Sequence, residues 1–235
     1  MQNRFSATIE DYLKAIYELT QEQKRASTNE IAGQMGVTPA SATGMIQRLA
    51  AEDPPLVDYQ KHRGAMLTPE GAQIALEIIR HHRLLETFLQ ERLGYTWDEV
   101  HEEADRLEHV ISEEMEERIA RALGDPIFDP HGEPIPSREF HMPDQSNTVL
   151  TDLQPGDQAI VVRINAGNPD LLRYLASIGL ALNSRVTVTD VSPFDGNTGL
   201  KVDGMDSPCV LGPRVTGKIF VVLISSDACL PPEAA

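Results

Sequence analysis

Two helix-start signals flank a glycine early in this chain, and together they leave few folds open. Ser27-Thr28-Asn29-Glu30 is a capping-box sequence, in which Ser27 caps the first turn and Glu30 reaches back to it. Thr38-Pro39 opens a second helix, because Thr is a good N-cap and Pro is favoured at the first helical position. Gly36 supplies the turn between them. Ile31, Ala32 and Met35 give the first helix a buried face, and Ala42, Met45, Ile46 and Leu49 give one to the second. Ile9, Tyr12, Leu13, Ile16, Tyr17 and Leu19 repeat near the helical period and predict an amphipathic helix upstream. Asp53-Pro54-Pro55 stops the third helix. Leu56–Tyr59 and Ala65–Leu67 then read as short strands around the basic turn Gln60-Lys61-His62-Arg63-Gly64. A helix-turn-helix followed at once by a wing predicts a DNA-binding domain over residues 1–73.

Thr68-Pro69-Glu70 predicts a long helix from about residue 69 to Leu93, ended by Gly94. Thr96-Trp97-Asp98-Glu99 is another capping box, opening a helix that runs through His109. On that helix Asp105, Glu108 and His109 stand at i, i+3 and i+4, with His101 one turn earlier. Two carboxylates and two imidazoles on one stripe are costly to assemble without a cation. The alternative is a solvated acidic face that happens to contain histidines. Residues 126–147 are rich in Pro and polar residues and show no periodicity, so they read as a linker. From Val149 the pattern changes to short strands at 159–164, 185–189, 200–202 and 219–223, with one short helix from Asp170 to Ile178. The expected fold is therefore mainly α with a small β domain. It comprises a winged helix-turn-helix (1–73), a helical domain with the linker (74–147), a small β-barrel (148–226) and a tail (227–235). His62, His81, His131 and His141 are expected at the surface or in the linker.

The formal net charge of −16 argues against a surface that wraps nucleic acid as a whole. The charge is uneven, however: residues 1–73 hold seven Lys+Arg and nine Asp+Glu, while 74–125 hold six and fourteen. A nearly neutral N-terminal third can still present a DNA-binding face, and bound divalent cations can neutralise part of the acidic middle. There is no apolar run of transmembrane length and no signal-peptide core at the N-terminus. Cys209 and Cys229 stand in no metal or redox spacing. A cytoplasmic protein without membrane partners is expected.

Glu10-Asp11-Tyr12-Leu13 with Ile16-Tyr17-Glu18-Leu19, Leu67-Thr68-Pro69-Glu70-Gly71, His82-Arg83-Leu84-Leu85-Glu86, Val100–Ala104 through Glu108-His109, and Gly132–Pro136 share one resemblance. The chain resembles the metal-dependent transcriptional regulators of the diphtheria toxin repressor type, including the manganese-responsive branch. The likeness runs from about Thr8 into the C-terminal strands, which resemble the family's SH3-like (FeoA-like) domain. It implies a homodimer and two metal sites per subunit. The primary set is Asp11, Asp105, Glu108 and His109. The ancillary set is His82, Glu86 and His101, with Asp170 as the best-placed candidate from the β domain, although a surface Asp capping a helix is the preferred reading of that residue. His82 and Glu86, at i and i+4, have the spacing to grip one cation, or to form an ordinary surface pair. Iron-sensing members carry Met at Asp11 and Cys at Asp105, and hard carboxylates there favour Mn(II) first and Fe(II) second. By the general affinity order Zn(II), Co(II) and Ni(II) are expected to bind well in a test tube too. The barrel-less manganese branch has a Glu ligand where this chain has Lys14, so two separate sites are expected rather than a binuclear one.

The resemblance implies that a cation shared by Asp11 and the Asp105–His109 face fixes the angle between the winged domain and the dimerisation helices. In a symmetric dimer that sets the spacing of two recognition helices on a palindromic operator. The helix Pro39–Ala50 would enter the major groove, with Thr38, Pro39, Ala40, Ser41, Thr43 and Gly44 on its exposed start. Such small residues suit phosphate and thymine-methyl contacts. Gln47 is the one side chain there suited to adenine, while Arg48, Lys61 and Arg63 are candidate phosphate contacts, each otherwise an ordinary solvated cation. Much of the specificity is then expected from DNA shape. Two rivals remain. One is a metal hydrolase using Glu102 or Glu103 as base, for which no His-Glu-x-x-His or nucleophile motif is present. The other is a winged-helix regulator that senses a non-metal signal. No enzyme activity and no small organic substrate are expected.

Overall fold

The structure, a computed structural model, describes residues 5–21, 25–165, 167–205 and 207–224. The tail 227–235, with Cys229, lies outside the described residues. The chain divides into two compact units. One holds Met1–Leu89, Glu102–Ile127 and Ile135–Pro143; the other holds Gln90–His101, Phe128–Pro134 and Asp144–Ala235.

In the first unit the apolar stripe of the N-terminal segment becomes helix α1 (Ala7–Leu19), which buries Ile9, Tyr12, Leu13 and Ile16. Helix α2 (Thr28–Gln34) starts on the expected box: Glu30 N donates to Ser27 Oγ at 3.2 Å and Ser27 N to Glu30 Oε2 at 2.7 Å. Two orphan amides are satisfied by two side chains, which holds so short a helix in place. Gly36 takes the turn at φ 64°. Helix α3 (Pro39–Ala50) is capped by Thr38, whose Oγ1 accepts from Ser41 N at 3.2 Å. The wing follows: β1 (Val57–Gln60) pairs antiparallel with β2 (Gly64–Leu67), Val57 opposite Leu67. Ala26 bridges Ala65, and a Cβ on Gly64 would lie 2.3 Å from the Ala26 carbonyl oxygen. One core, made by Leu13, Ile16, Ile31, Ala42, Ile46, Leu49, Val57 and Ala65, binds α1 to α3 and the wing together.

Helix α4 (Pro69–Leu93) begins where Gly71 N donates to Thr68 Oγ1 at 3.1 Å. Helices α5 (Val100–Leu107) and α6 (Glu113–Ala122) follow, the latter capped by Ser112. Beside α4, a buried polar network replaces part of the apolar core. Arg80 Nε donates to Glu116 Oε1 at 2.6 Å and Arg80 Nη1 to the Pro136 carbonyl at 2.7 Å. His81 Nε2 lies 3.2 Å from Glu116 Oε2, within ion-pair range though poorly aligned for a hydrogen bond. Burial pushes the Glu116 carboxyl up, but His81 and Arg80 outweigh it and hold the group below its ordinary 4.5. The stabilisation this confers is present above that ordinary value and is lost as pH falls through the lowered one. Removing one partner of a buried pair costs about 3–5 kcal/mol, because the other charge stays buried. Glu116→Ala should therefore show a loss of that size in urea unfolding at pH 7. The gap between variant and wild type should narrow on acidification below about pH 4.5.

The second unit carries a five-stranded antiparallel sheet, order β6-β5-β4-β3-β7. Its strands are β3 (Gln158–Ile164), β4 (Arg185–Val191), β5 (Thr198–Val202), β6 (Cys209–Leu211) and β7 (Ile219–Leu223). Register shifts between Val161 and Arg163 and between Val188 and Asp190 bend it, as bulges do. Helix α7 (Pro169–Ser177), capped by Asn168, adds Leu172 and Leu175 to the core of Ala159, Val161, Val186, Val188, Leu200 and Val221. Residues 126–147 contain buried side chains despite their lack of periodicity: Asp129, His131 and Ile135 are each under 9% exposed. Asp129 Oδ1 accepts from the amides of His131 and Glu133 at 2.8 and 2.9 Å. Gly132, at φ 82°, packs where a Cβ would meet the Val162 carbonyl oxygen at 2.1 Å. His131, expected at the surface or in the linker, is 3% exposed and stacks on Trp97. His81, expected likewise, is 4% exposed because its Nδ1 has a buried carbonyl partner, Glu108 O at 3.1 Å. His62 and His141 are exposed, as expected.

Candidate metal centre

The stripe that the sequence places on one helix is divided in the structure. Helix α5 ends at Leu107, so Glu108 and His109 occupy the turn after it, although Glu108 N still bonds Ala104 O at 2.9 Å. From that turn both side chains reach α1. His109 Nε2 lies 2.9 Å from Asp11 Oδ1 and 3.4 Å from Glu108 Oε1, and His109 Nδ1 lies 2.7 Å from Glu10 Oε2. Asp11, Glu108 and His109 each offer a ligand atom within 4.8 Å of the others.

Asp105, the fourth member of the expected primary set, stands with a second group. Its Oδ1 is 3.2 Å from His82 Nδ1, and His82 Nδ1 is 2.5 Å from Glu108 Oε2. His82, Asp105 and Glu108 also offer ligand atoms within 4.8 Å of one another. Glu108 is thus common to both groups, with Oε1 toward His109 and Oε2 toward His82. The other nitrogen of His82, Nε2, meets Glu86 Oε1 at 2.9 Å across one turn of α4. His101, placed with His82 and Glu86 by the resemblance, is the second residue of α5 and belongs to the second unit. Asp170, also in that unit, sits in the first turn of α7 with its side chain 88% exposed, paired with Arg173 at 2.6 Å. The cap of that helix is Asn168, not Asp170.

Glu10 and Lys14 are the residues that sequence reasoning missed or undervalued. Glu10, the neighbour of a ligand candidate, is 4% exposed and orients the His109 ring. An acid three residues before Leu13 and seven before Tyr17, on the edge of the apolar stripe, was the available signal. Lys14 Nζ lies 2.9 and 3.1 Å from the two oxygens of Glu108, 3.4 Å from Asp105 Oδ1 and 3.2 Å from His82 Nδ1.

The protonation of these groups follows from the carboxylates. His109 is pushed up to about 10 by hydrogen bonds to Asp11 and Glu10, against the opposing effect of burial. Burial works against the charge on His82, yet Glu86 and the hydrogen bonds to Asp105 and Glu108 raise it well above its ordinary value. Lys14 is raised too: burial opposes its charge, and Glu108 and Asp105 more than compensate. The Lys14 ammonium and two ring protons offset the buried acid. The donor set is one of hard oxygens and imidazole nitrogens around a carboxylate only 2% exposed, and it fits a divalent metal ion.

The recognition helix presents the expected surface. Thr38, Pro39, Ala40, Ser41, Gly44, Gln47 and Arg48 are exposed and Thr43 is half-buried. Nothing lies within 4 Å of the position a Cβ would take on Gly44. Thr43 Oγ1 donates to Pro39 O at 2.8 Å and Thr38 Oγ1 lies 3.0 Å from Ser41 Oγ. Lys61 and Arg63 are exposed on the wing turn.

Three family profiles match the chain in succession. "Iron dependent repressor, N-terminal DNA binding domain" covers residues 4–65, "Iron dependent repressor, metal binding and dimerisation domain" covers 68–137, and "FeoA domain" covers 148–223. The iron-dependent repressor IdeR of Mycobacterium tuberculosis is 35% identical over 208 residues, spanning 83% of this chain and 89% of that protein. The chain belongs to the iron-dependent repressor family. It is accordingly a metal-dependent DNA-binding transcriptional repressor, and nothing in these comparisons favours a hydrolase or a sensor of non-metal signals. Another relative in this family, the diphtheria toxin repressor of Corynebacterium diphtheriae, is 31% identical over 209 residues, covering 85% of this chain and 90% of its own. Among solved structures, a manganese-dependent transcriptional repressor in complex with manganese superposes with a TM-score of 0.85 at 40% identity, over 92% of this chain and all of its own. ScaR with bound Cd2+ superposes at 0.80 and 34% identity, over 92% and 99%. No helix among the described residues is long and apolar enough to cross a membrane.

Proposed function

We propose that this repressor responds to Mn(II), with Fe(II) as its second choice, and that as a cytoplasmic homodimer it binds a palindromic operator controlling metal-uptake genes. The primary site is Asp11, Asp105, Glu108 and His109; the second draws on His82, Glu86 and His101, with Asp170 as a candidate from the β domain. The observation that carries the reading is the placement of Asp11, on the first helix of the winged domain, against Glu108 and His109 on the turn after α5. The choice of metal rests on Asp11 and Asp105 being hard carboxylates.

A bound divalent ion supplies the concentrated positive charge that lets these acids share one point. The chain does the rest. Asp11 carries α1, which packs on α2 and β2 around Leu13, Ile16 and Ala65. Holding Asp11 at the Glu108 turn therefore fixes where α3 and the wing stand relative to α4. His109 must give up its ring proton to ligate, and Glu10 then keeps the ring oriented through Nδ1. Operator DNA and metal are coupled reciprocally, each tightening the other by the same factor.

The test is a fluorescence titration of a duplex selected for binding from a random pool in the presence of Mn(II). Mn(II), Fe(II) and Zn(II) are compared, and a chelator is added at the end of each titration. Binding that requires Mn(II) at lower concentration than Fe(II), and that the chelator reverses, is the expected result. Equal binding in chelator overturns the reading. Asp11→Ala should lose the metal requirement together with tight binding, while His82→Ala retains a weaker response. On the wing, Lys61→Ala and Arg63→Ala should each weaken binding to specific and unrelated duplexes alike and lower the slope of log K against log salt by about one. An unchanged slope removes either residue from the phosphate contacts.

A further inference from the structure

Two adjacent histidines of α4 meet Glu108 from its two ends. His82 Nδ1 faces the carboxylate, 2.5 Å from Oε2. His81 Nδ1 faces the backbone, 3.1 Å from the carbonyl oxygen. A carbonyl only accepts, so that ring nitrogen carries a proton and donates it to the bond. Helix α5 stops at Leu107, so the Glu108 carbonyl lies past the last turn, where a helix supplies no amide to meet it. Glu108 is 2% exposed, and a buried carbonyl left unpaired is costly. His81 supplies the donor from another helix. The ring is itself held: it is 4% exposed, and its Nε2 lies 3.2 Å from Glu116 Oε2. Glu116 is fixed in turn by Arg80, and Arg80 by the Pro136 carbonyl. A run of buried polar contacts beside α4 therefore ends on the backbone of the residue whose carboxylate belongs to both ligand groups.

We propose that His81 is a positioning residue of the metal centre: it ligates nothing itself, and by holding the Glu108 carbonyl it fixes the turn from which Glu108 and His109 aim their side chains. Glu108 and His109 follow α5 rather than belonging to it, so their directions depend on the backbone of that turn. With the carbonyl held, the backbone is set before a cation arrives, and binding does not have to order it. Neighbouring residues of one helix thus divide the work, His82 facing the carboxylate and His81 the peptide that carries it. The inference rests on Glu108 being a metal ligand, and it leaves the primary set of Asp11, Asp105, Glu108 and His109 as proposed.

Asparagine and glutamine separate the roles of the two ring nitrogens. The amide of Asn stands as many bonds from Cα as Nδ1 and can keep the bond to the carbonyl. The amide of Gln stands as many bonds away as Nε2 and can keep only the contact with Glu116. Each full-length variant is titrated with Mn(II), the unbound ion being read from its electron paramagnetic resonance signal, and is unfolded in urea without metal. His81→Gln should bind Mn(II) about 10–100-fold more weakly than the wild type, the usual loss for an outer partner at a metal site. His81→Asn should bind Mn(II) close to the wild type, although it gives up the Glu116 contact and unfolds at lower urea. If His81→Gln fails to fold, as judged by circular dichroism, His81→Met, which donates nothing, takes its place with the same expectation. Wild-type Mn(II) affinity in a folded variant without a donor for the carbonyl overturns the proposal. So do affinities that simply follow the urea midpoints, as a purely structural role requires. Failure of the underlying reading looks different: Glu108→Gln, with its carbonyl intact, would then bind Mn(II) as tightly as the wild type.

Discussion

Glu108→Ala should abolish metal-dependent operator binding while leaving a folded DNA-binding domain. The carboxylate belongs to both ligand groups, and among the described residues no other acid is common to the two. Losing even an indirect supporting contact at a metal site commonly costs 10–100-fold in affinity. Removal of a shared direct ligand should cost at least about 100-fold by the same measure. The structural consequence is separable from the metal. Without Glu108, the Lys14 ammonium keeps only Asp105 among the two acids it touches, and His82 keeps Glu86 and Asp105. The metal-free variant should therefore melt lower than the metal-free wild type. The decisive comparison is the gain on adding Mn(II). A ligand at a hundred times its dissociation constant stabilises the folded state by about 2.7 kcal/mol. The wild type should show a gain of that order from the primary site, and Glu108→Ala should lose most of it. Equal Mn(II) stabilisation in both proteins removes Glu108 from the site. Glu108→Gln, which keeps the shape, should behave like Glu108→Ala toward metal but melt closer to the wild type.

The elements most legible in the sequence are those set by local chemistry. Ser27 with Glu30, Thr38 with Pro39, and Thr68 before Pro69 act within one turn of themselves, and each begins a helix in the structure. The longer strands were equally readable because their apolar runs exceed what a turn requires. β6, three residues long with Val210 exposed, offers no such run. The structure gathers Asp105, Glu108 and His109 beside Asp11 and His82, though not along one helix. A continuous helix through His109 was expected, but the helix stops at Leu107, and the turn is what lets His109 reach Glu10 and Asp11. Contacts between residues 27 to 94 positions apart left no trace in local pattern. The seat of Lys14 beside His82 and Glu108 is one, and the burial of His81 against the Glu108 carbonyl is another. A lysine on α1 reads as a solvated cation until the acids it serves are brought to it by the fold.

Gly71→Ala should unfold the first unit at markedly lower urea concentration, although alanine is the better helix former. In isolation the substitution favours the helix by about 1 kcal/mol. Here a Cβ would stand 2.0 Å from the Leu56 carbonyl oxygen and 2.9 Å from its carbon, and both are backbone atoms that no rotamer change can move. The same carbonyl accepts from Thr68 N at 3.1 Å, which fixes the chain just before α4. To admit the methyl group, the segment leading into β1 must separate from α4, drawing Leu56 and Val57, each 2% exposed, out of the core. Overpacking alone costs about 1–3 kcal/mol. Loss of the Thr68 hydrogen bond adds about 1 kcal/mol, so the net loss should be about 1–3 kcal/mol after the helix gain is subtracted. A midpoint shifted by less than about 0.5 kcal/mol, the scatter of ordinary surface changes, would contradict this packing. The effect should extend to function. α4 runs without interruption from Gly71 to His82 and Glu86, so the close approach at Gly71 sets the wing against the helix that carries those residues. Mn(II) can then be bound normally by Gly71→Ala while its coupling to DNA falls. A ratio of operator affinities with and without Mn(II) well below the wild-type ratio is the expected measurement.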